Sequence, residues 1–421
     1  MDLKASVVIP VRNKLEFTRQ CLESIAEAPP KLSYEIIVVD NASDDGTYEF
    51  LKEKQDRGEL RLIHNDPPNP FAISCNQGAM AAKGEYIVFL NNDTKAYPDW
   101  LDEMVAAAEK YQNVGAVGAK LLYPDETIQH AGVAFHYFTS LKRYKPYHIF
   151  RDFPRGAPAV NKELEFQVVT GACLLTPKSI FHEMGGFDER FINEFEDVDY
   201  CLRLRDKGYK VIYTPKAELI HYEGQTPGRH DHLDKNGLLL QEKWGSRFRS
   251  DDLQYLEPEG FAIMEEGNGA LSIYPGAELQ QWWDEIQKFV KASLFREVIA
   301  EIEELAQIIP FDYEILELKG NCHLNLGEIK EARSAFANAQ SMEPHSPGPK
   351  WGLAQVAAAD GKMREAGMRV QRLIREFPQD ERRDDWLSLV KAVDDSTVGR
   401  KGVDYSFKPN SLTPPGNEFP G

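Results

Sequence analysis

Apolar positions along the chain follow two successive patterns. From Ala5 to about Thr214, short β-branched runs alternate with longer amphipathic stretches. The runs are Ser6 to Pro10, Glu35 to Asp40, Leu60 to His64 and Glu85 to Leu90. Between the first two, Leu15, Cys21, Leu22, Ile25 and Ala26 recur at helical spacing, which predicts a helix from Leu15 to Ala28. Strands that are apolar on both faces and separated by helices predict a mainly parallel sheet with helices on both faces, an α/β domain over residues 1–250. In such sheets ligands bind beyond the carboxyl ends of the strands. The polar residues just after each run are therefore the ones to inspect.

From about Leu279 the pattern becomes helix after helix with a fixed repeat. Pro310, Pro344 and Pro378 stand 34 residues apart, as do Gly327 and Gly361, and Ala332 and Ala366. Overlaid windows align Ile286 with Gly320 and Ala354, and Ile302 with Phe336 and Val370. Small residues permit close helix crossing, and each proline ends a second helix. This period resembles that of tetratricopeptide repeats, which predicts an all-α array of three repeats plus a capping helix over residues 279–393. Residues 251–278 are expected to be a connector with one hairpin. The last stretch, 394–421, is rich in Pro, Gly, Ser and Asn and is expected to be disordered.

Composition narrows the function classes. Within 421 residues, no stretch of ~18 uncharged apolar residues occurs, so no transmembrane segment is expected. The run at Ala5–Val11 is too short for a signal peptide. The five cysteines are scattered and form no CxxC, which argues against a disulfide framework and a structural zinc site and favours a reducing cytoplasm. The 67 acidic residues outnumber the 49 basic ones, for a net charge of −18. Nucleic acid and anionic lipid would be repelled. A protein so acidic that handles an anionic small molecule is expected to recruit a screening cation.

Four polar clusters follow strands. Asp40 opens Asn41-Ala42-Ser43-Asp44-Asp45-Gly46-Thr47, in which Ser43 or Asp44 could cap a helix from Thr47 to Gln55. Asn91-Asn92-Asp93 follows Leu90, where a carboxylate could hold Mg2+ or Mn2+ with a diphosphate. Glu196, Asp197 and Asp199 crowd the start of a helix from Val198 to Lys207, where acids favour the macrodipole but could equally supply a general base. His221 follows Ala217–Ile220, either as a structural residue or as a metal ligand. Gln129 to Gly132 are read as packing residues or as a segment close to the ligand, Trp100 as a core residue or a platform for a ligand, Lys243-Trp244 as an anchor for the domain's end, and the basic stretch Leu141 to His148 as a solvated loop that could cover the site.

In order, the segments Val7 to Asn13, Ile37 to Thr47, Asn76 to Gly78, Phe89 to Asp93, Thr170 to Leu175, Gly185 to Asp188, Glu196 to Arg203 and His221 to Gly224 resemble the inverting glycosyltransferases of family 2, which have the GT-A fold. The resemblance covers roughly Ala5 to Trp244. It implies that Pro10, Val11, Arg12, Asn13 and Asp40 grip the nucleotide, with Asp40 on a pyrimidine. By the same resemblance Asn76, Gly78, Asn92, Asp93 and Gly171 line the donor site, and Asp93 with His221 binds Mn2+ or Mg2+. Asp197 would be the general base, supported by Glu196. The metal motif reads Asn91-Asn92-Asp93 where the family has Asp-x-Asp, so it has one carboxylate fewer. The implied reaction moves a sugar from a UDP- or dTDP-type donor to a hydroxyl of a glycan, lipid-linked or protein acceptor. It would occur in the cytoplasm or peripherally at the inner membrane face, with a protein partner on the repeat array. The competing reading is an interaction scaffold whose transferase domain has weakened chemistry.

Overall fold

The computed structural model describes residues 3–224, 232–265, 270–310, 313–380 and 382–397. The chain divides into two compact units, Met1–Gly276 and Ala277–Gly421. In the first, β1 (Ala5–Val11), α1 (Leu15–Glu27), β2 (Tyr34–Asn41), α2 (Thr47–Asp56), β3 (Arg61–Asn65), α3 (Phe71–Ala81) and β4 (Tyr86–Leu90) alternate as the hydrophobic runs predict. Next come β5 (Thr94–Ala96), α4 (Trp100–Lys110), β6 (Val114–Leu122), β7 (Ile128–His130), β8 (Val133–Phe138) and β9 (Arg143–His148). The unit continues with β10 (Leu164–Phe166), β11 (Cys173–Pro177), α5 (Lys178–Glu183), α6 (Glu196–Asp206), β12 (Lys210–His221), α7 (Leu233–Trp244), α8 (Asp252–Leu256), β13 (Phe261–Glu265) and β14 (Leu271–Pro275).

One mixed sheet organises the unit, in the order β10-β12-β6-β11-β4-β1-β2-β3, with β5 on β12 and β7 on β6. The ladders β1–β2, β1–β4, β2–β3 and β6–β12 are parallel. Strand β11 runs against both β4 and β6 and joins the two parallel halves. Every residue of β1 and β4 is buried, as strands covered on both faces require. Val7, Ile9, Val38, Val88, Leu101 and Met104 belong to one core cluster. Each such side chain removed from water contributes about 1.5–3 kcal/mol. Trp100 is fully buried at the start of α4, as expected of a core residue.

Several local expectations are revised. The stretch Leu141–His148 is a strand for most of its length: β9 pairs with β8, bringing Tyr137 opposite Tyr144. Its alternation of Arg143, Lys145 and Tyr147 with Tyr144 and Pro146 is a period of two, which suits a strand better than a loop. Neither Ser43 nor Asp44 caps α2: its N-cap residue is Gly46, and the preceding Asp45 accepts through Oδ1 from both the backbone N–H and the hydroxyl of Thr47. Ser43 and Asp44 instead bond Asn13. Residues 251–276 pack on the first unit: Asp251 accepts from the Phe135 N–H at 2.7 Å, Asp252 lies 2.6 Å from His136, and β13 pairs with β14 as a hairpin.

The second unit contains α9 (Ala277–Lys291), α10 (Phe295–Leu305), α11 (Tyr313–Asn325), α12 (Ile329–Met342), α13 (Pro347–Ala359), α14 (Met363–Glu376) and α15 (Arg383–Thr397). The 34-residue period is structural: α10, α12 and α14 begin 34 residues apart, and so do α11 and α13. Gly327 and Gly361 close the α11–α12 and α13–α14 turns at φ of 75° and 74°, a conformation that costs other residues strain. Gly320 and Gly352 both lie against the Phe336 ring, so α11 and α13 approach α12 closely. Helix α15 buries Trp386 beside Trp351 and continues to Thr397, past the expected start of the tail. The rest of that tail, 398–421, lies outside the described residues. Among the described residues no helix is long and apolar enough to cross a membrane, and all five cysteines are buried free thiols.

Candidate active site

A cleft of about 460 Å³ opens at the carboxyl ends of β1, β2 and β4, where an α/β sheet places its ligands. Of the residues singled out in the sequence, Pro10, Val11, Arg12, Asn92, Asp93, Gly171, Glu196 and Asp197 line it. Lys14 and His232, which the sequence did not mark, line it as well. Asn13 and Lys14 both take left-handed backbone conformations (φ 60° and 66°), a strained pair of the kind found at ligand clamps. The strain is held from the next loop: Ser43 Oγ accepts from the Asn13 N–H at 2.7 Å, and Asn13 Oδ1 accepts from the Asp44 N–H at 2.8 Å. Asn13 thus shapes the cleft rim from outside the lining.

Strand pairing brings Asp93 and His221 together across 128 positions of sequence. The antiparallel β5–β12 ladder sets Thr94 opposite His221, and the Tyr222 N–H donates to the Asp93 carbonyl at 2.9 Å. His221 Nε2 then lies 3.2 Å from Asp93 Oδ1, with both side chains largely buried. Asn91 Nδ2 approaches the same ring nitrogen at 3.3 Å. Asn92 turns aside and donates to Thr18 Oγ1 at 2.9 Å. A carboxylate oxygen and an imidazole nitrogen facing each other at the edge of a polar cleft are a fitting donor pair for Mn2+ or Mg2+. Among the described residues no three His, Cys, Asp or Glu side chains converge, so bound anion or water would supply the remaining ligands. Such a sparse protein ligand set is usual for cations held jointly with phosphates.

Asp197 stands in the first turn of α6. Its Oδ2 accepts from the Gly171 N–H at 2.6 Å and its Oδ1 from the Val198 N–H at 2.8 Å. Two fixed donors set the direction of the carboxylate and leave lone pairs for a further proton donor. Gly171 is needed for this approach, since a Cβ there would lie 3.1 Å from Asp197 Cβ. Displacement of a catalytic group by an ångström can cost about 10²-fold. If Asp197 is the general base that the resemblance implies, Gly171→Ala is expected to lower kcat roughly tenfold while sparing the Kd for a nucleoside diphosphate, measured by turnover and by calorimetry. Glu196 is buried beside Asp197 in the same turn.

Three of the marked residues lie elsewhere. Asp40, next to last in β2, is fully buried, with Oδ2 2.7 Å from His64 Nδ1 and Oδ1 without a partner among the described residues. Asn76 bonds both the N–H and the carbonyl of Phe187, holding the Gly185–Asp188 loop. Gly78 lets α3 approach β1, where a Cβ would meet Val8 Cγ1 at 2.2 Å. Asn76 and Gly78 are thus scaffold residues in this geometry. Conversely, Gln129, read as packing, bonds His221 directly: Oε1 lies 2.6 Å from His221 Nδ1, and Nε2 donates to the His221 carbonyl at 3.0 Å. Its place in a three-residue edge strand, 92 positions from His221, is not visible in any local pattern.

Comparison with known proteins agrees with this geometry. Residues 6–184 match the family model described as glycosyl transferase family 2. The chain is 35% identical over 245 residues to an uncharacterized protein, y4gI, of Sinorhizobium fredii, covering 56% of this chain and 26% of that one. It is 35% identical over 224 residues to the O-antigen biosynthesis protein RfbC of Myxococcus xanthus, covering 52% and 17%. It is 25% identical over 211 residues to an N-acetylglucosaminyl-diphospho-decaprenol L-rhamnosyltransferase of Mycobacterium tuberculosis, covering 46% and 68%. The chain therefore spans only 26% and 17% of the length of the first two relatives. The sheet, the cleft and the ordered motifs thus lie largely in the part of the chain, residues 6–184, that is similar to glycosyl transferase family 2.

Proposed function

We propose that the chain is a metal-dependent inverting glycosyltransferase that moves a sugar from a UDP- or dTDP-type donor to an acceptor hydroxyl. The observation that carries the proposal is that Asp93, paired with His221, and the doubly anchored Asp197 serve one cleft at the strand ends. Asp93 and His221 would hold Mn2+ or Mg2+, which would neutralise charge developing on the departing diphosphate. Arg12 and Lys14, on the same cleft, add positive charge for that anion. Asp40 precedes Asn41, which lines the cleft, and its buried Oδ1, without a hydrogen-bond partner among the described residues, supports a bond to a base N–H there. Asp197 accepts the acceptor hydroxyl's proton while its oxygen attacks the anomeric carbon. The bond from that carbon to the diphosphate oxygen breaks, and its electron pair leaves with the nucleotide. A single displacement without a protein nucleophile inverts the anomeric centre.

RfbC and the rhamnosyltransferase support a polysaccharide or lipid-linked glycan as acceptor. Buried free thiols support a cytoplasmic site of action. The helical array supports a tetratricopeptide-type surface for a protein partner. The test is a panel of sugar nucleotides with Mn2+ and no acceptor, read as release of nucleoside diphosphate. Hydrolysis of one donor is expected. A ligand held at a hundred times its Kd also stabilises the fold by about 2.7 kcal/mol, visible as a raised melting midpoint. No hydrolysis and an unmoved midpoint across the panel would favour a scaffold, a reading for which Asn91 in place of an acid is the motive.

A further inference from the structure

The contact between Gln129 and His221 fixes more than packing. Gln129 is buried, and its Nε2 faces the backbone carbonyl of His221 at 3.0 Å. A carbonyl oxygen only accepts, so the amide is oriented with its NH2 on that side. Its oxygen, Oε1, must then face His221 Nδ1 at 2.6 Å. Oxygen against an unprotonated nitrogen at that distance would set two acceptors against each other, so Nδ1 carries the proton. In the neutral ring the lone pair is therefore on Nε2, the atom 3.2 Å from Asp93 Oδ1. The Asn91 amide, donating at 3.3 Å, faces the same lone pair and is consistent with this tautomer.

We infer that Gln129 is a positioning residue which holds His221 as the Nδ1–H tautomer, so that the Nε2 lone pair and the Asp93 carboxylate face one divalent cation. The inference rests on the cation reading given above. Without Gln129, Asp93 is the charged acceptor beside the ring among the described residues. It would draw the proton of the neutral imidazole to Nε2 and block the nitrogen that should ligate. Outer partners of this kind typically govern metal affinity by about 10–100-fold.

The test uses the whole chain, free of metal and then titrated with Mn2+ alone. Long-range proton–nitrogen NMR, at a pH where the ring is neutral, should show His221 protonated on Nδ1. Gln129→Met, which fills the space without hydrogen bonds, should move the proton to Nε2. The same variant should weaken Mn2+ binding, followed by electron paramagnetic resonance, by about 10–100-fold. Gln129→Glu keeps an acceptor at Nδ1 and should keep the proton there, while its second oxygen, set against the His221 carbonyl, lowers the melting midpoint. A merely structural Gln129 predicts something else: a lowered melting midpoint in both variants with tautomer and Mn2+ affinity unchanged. That outcome overturns the inference, and so does a wild-type ring protonated on Nε2, which needs no variant to fold. A wild type with the expected tautomer that binds no Mn2+ removes the cation reading instead, and with it the metal half of this assignment.

Discussion

Asp197→Ala is expected to lower the transfer rate by about 10²–10⁴-fold, the usual worth of a positioned general base, while nucleoside diphosphate binding survives. The split follows from geometry. The Asp197 carboxylate is held by the Gly171 and Val198 N–H groups and faces the cleft, whereas the implied nucleotide contacts come from the ends of β1 and β2. Alanine is the cleaner replacement, because an asparagine amide would turn an NH2 toward one of those two donors. The checks are turnover with a competent donor and acceptor, Kd by calorimetry, and circular dichroism for the fold. Unchanged turnover in a folded variant would remove Asp197 from the chemistry and leave Glu196 as the candidate.

The second large effect is on stability. Asp199, two residues further along α6, is fully buried among cations. Its Oδ2 accepts from Arg203 Nε at 2.8 Å, and its Oδ1 from Trp244 Nε1 at 2.9 Å and Lys243 Nζ at 2.5 Å. Arg203 also donates to the carbonyls of Met184 and Gly186, and Lys243 reaches Asp188 at 2.7 Å. Arg190, and after it Lys243, hold the Asp188 carboxyl well below the usual carboxylate range. One carboxylate thus ties α6 to the Gly185–Asp188 loop and to the end of α7. Asp199→Ala strands an indole N–H and takes from Arg203 and Lys243 their shared buried partner, and breaking a buried pair from one side costs about 3–5 kcal/mol. At roughly 2–4 °C per kcal/mol for a unit of this size, the midpoint should fall by on the order of 10 °C. Calorimetric unfolding measures it. A fall of a degree or less would mean that the network adds little to the fold.

Legibility in the sequence followed the range of the interactions. Strands β1, β2 and β4 were readable from their continuous apolar runs, and helix α1 from a 3.6-residue period of its own. The repeat period was readable because proline and glycine mark turns locally, and Gly327 and Gly361 do occupy left-handed turns. Much of the cleft lining was readable too, since Arg12, Asp93 and Asp197 directly follow or begin recognisable elements. What stayed hidden depends on pairing between distant segments. Nothing in Cys173–Pro177 announces that it enters antiparallel between β4 and β6. The approach of His221 to Asp93 needs the short β5 as a partner for β12, and Gln129 reaches the same ring from β7. Asn76 and Gly78 sit in a motif-like triplet, yet their side chain and bare Cα serve a loop and a helix–sheet contact. Local pattern located them, but only packing tells which partner each one meets.

The central claim is that a divalent cation bound at Asp93 and His221 joins the protein to a nucleotide diphosphate. Calorimetric titration of wild type and Asp93→Ala with UDP and with dTDP, with Mn2+ and with a chelator, tests it most directly. Tight binding of at least one nucleotide to wild type only when Mn2+ is present, lost by about 10²-fold or more in Asp93→Ala, is the result expected of a cation-bridged ligand. Equal affinity with Mn2+ and with chelator, unaffected by the substitution, would contradict it.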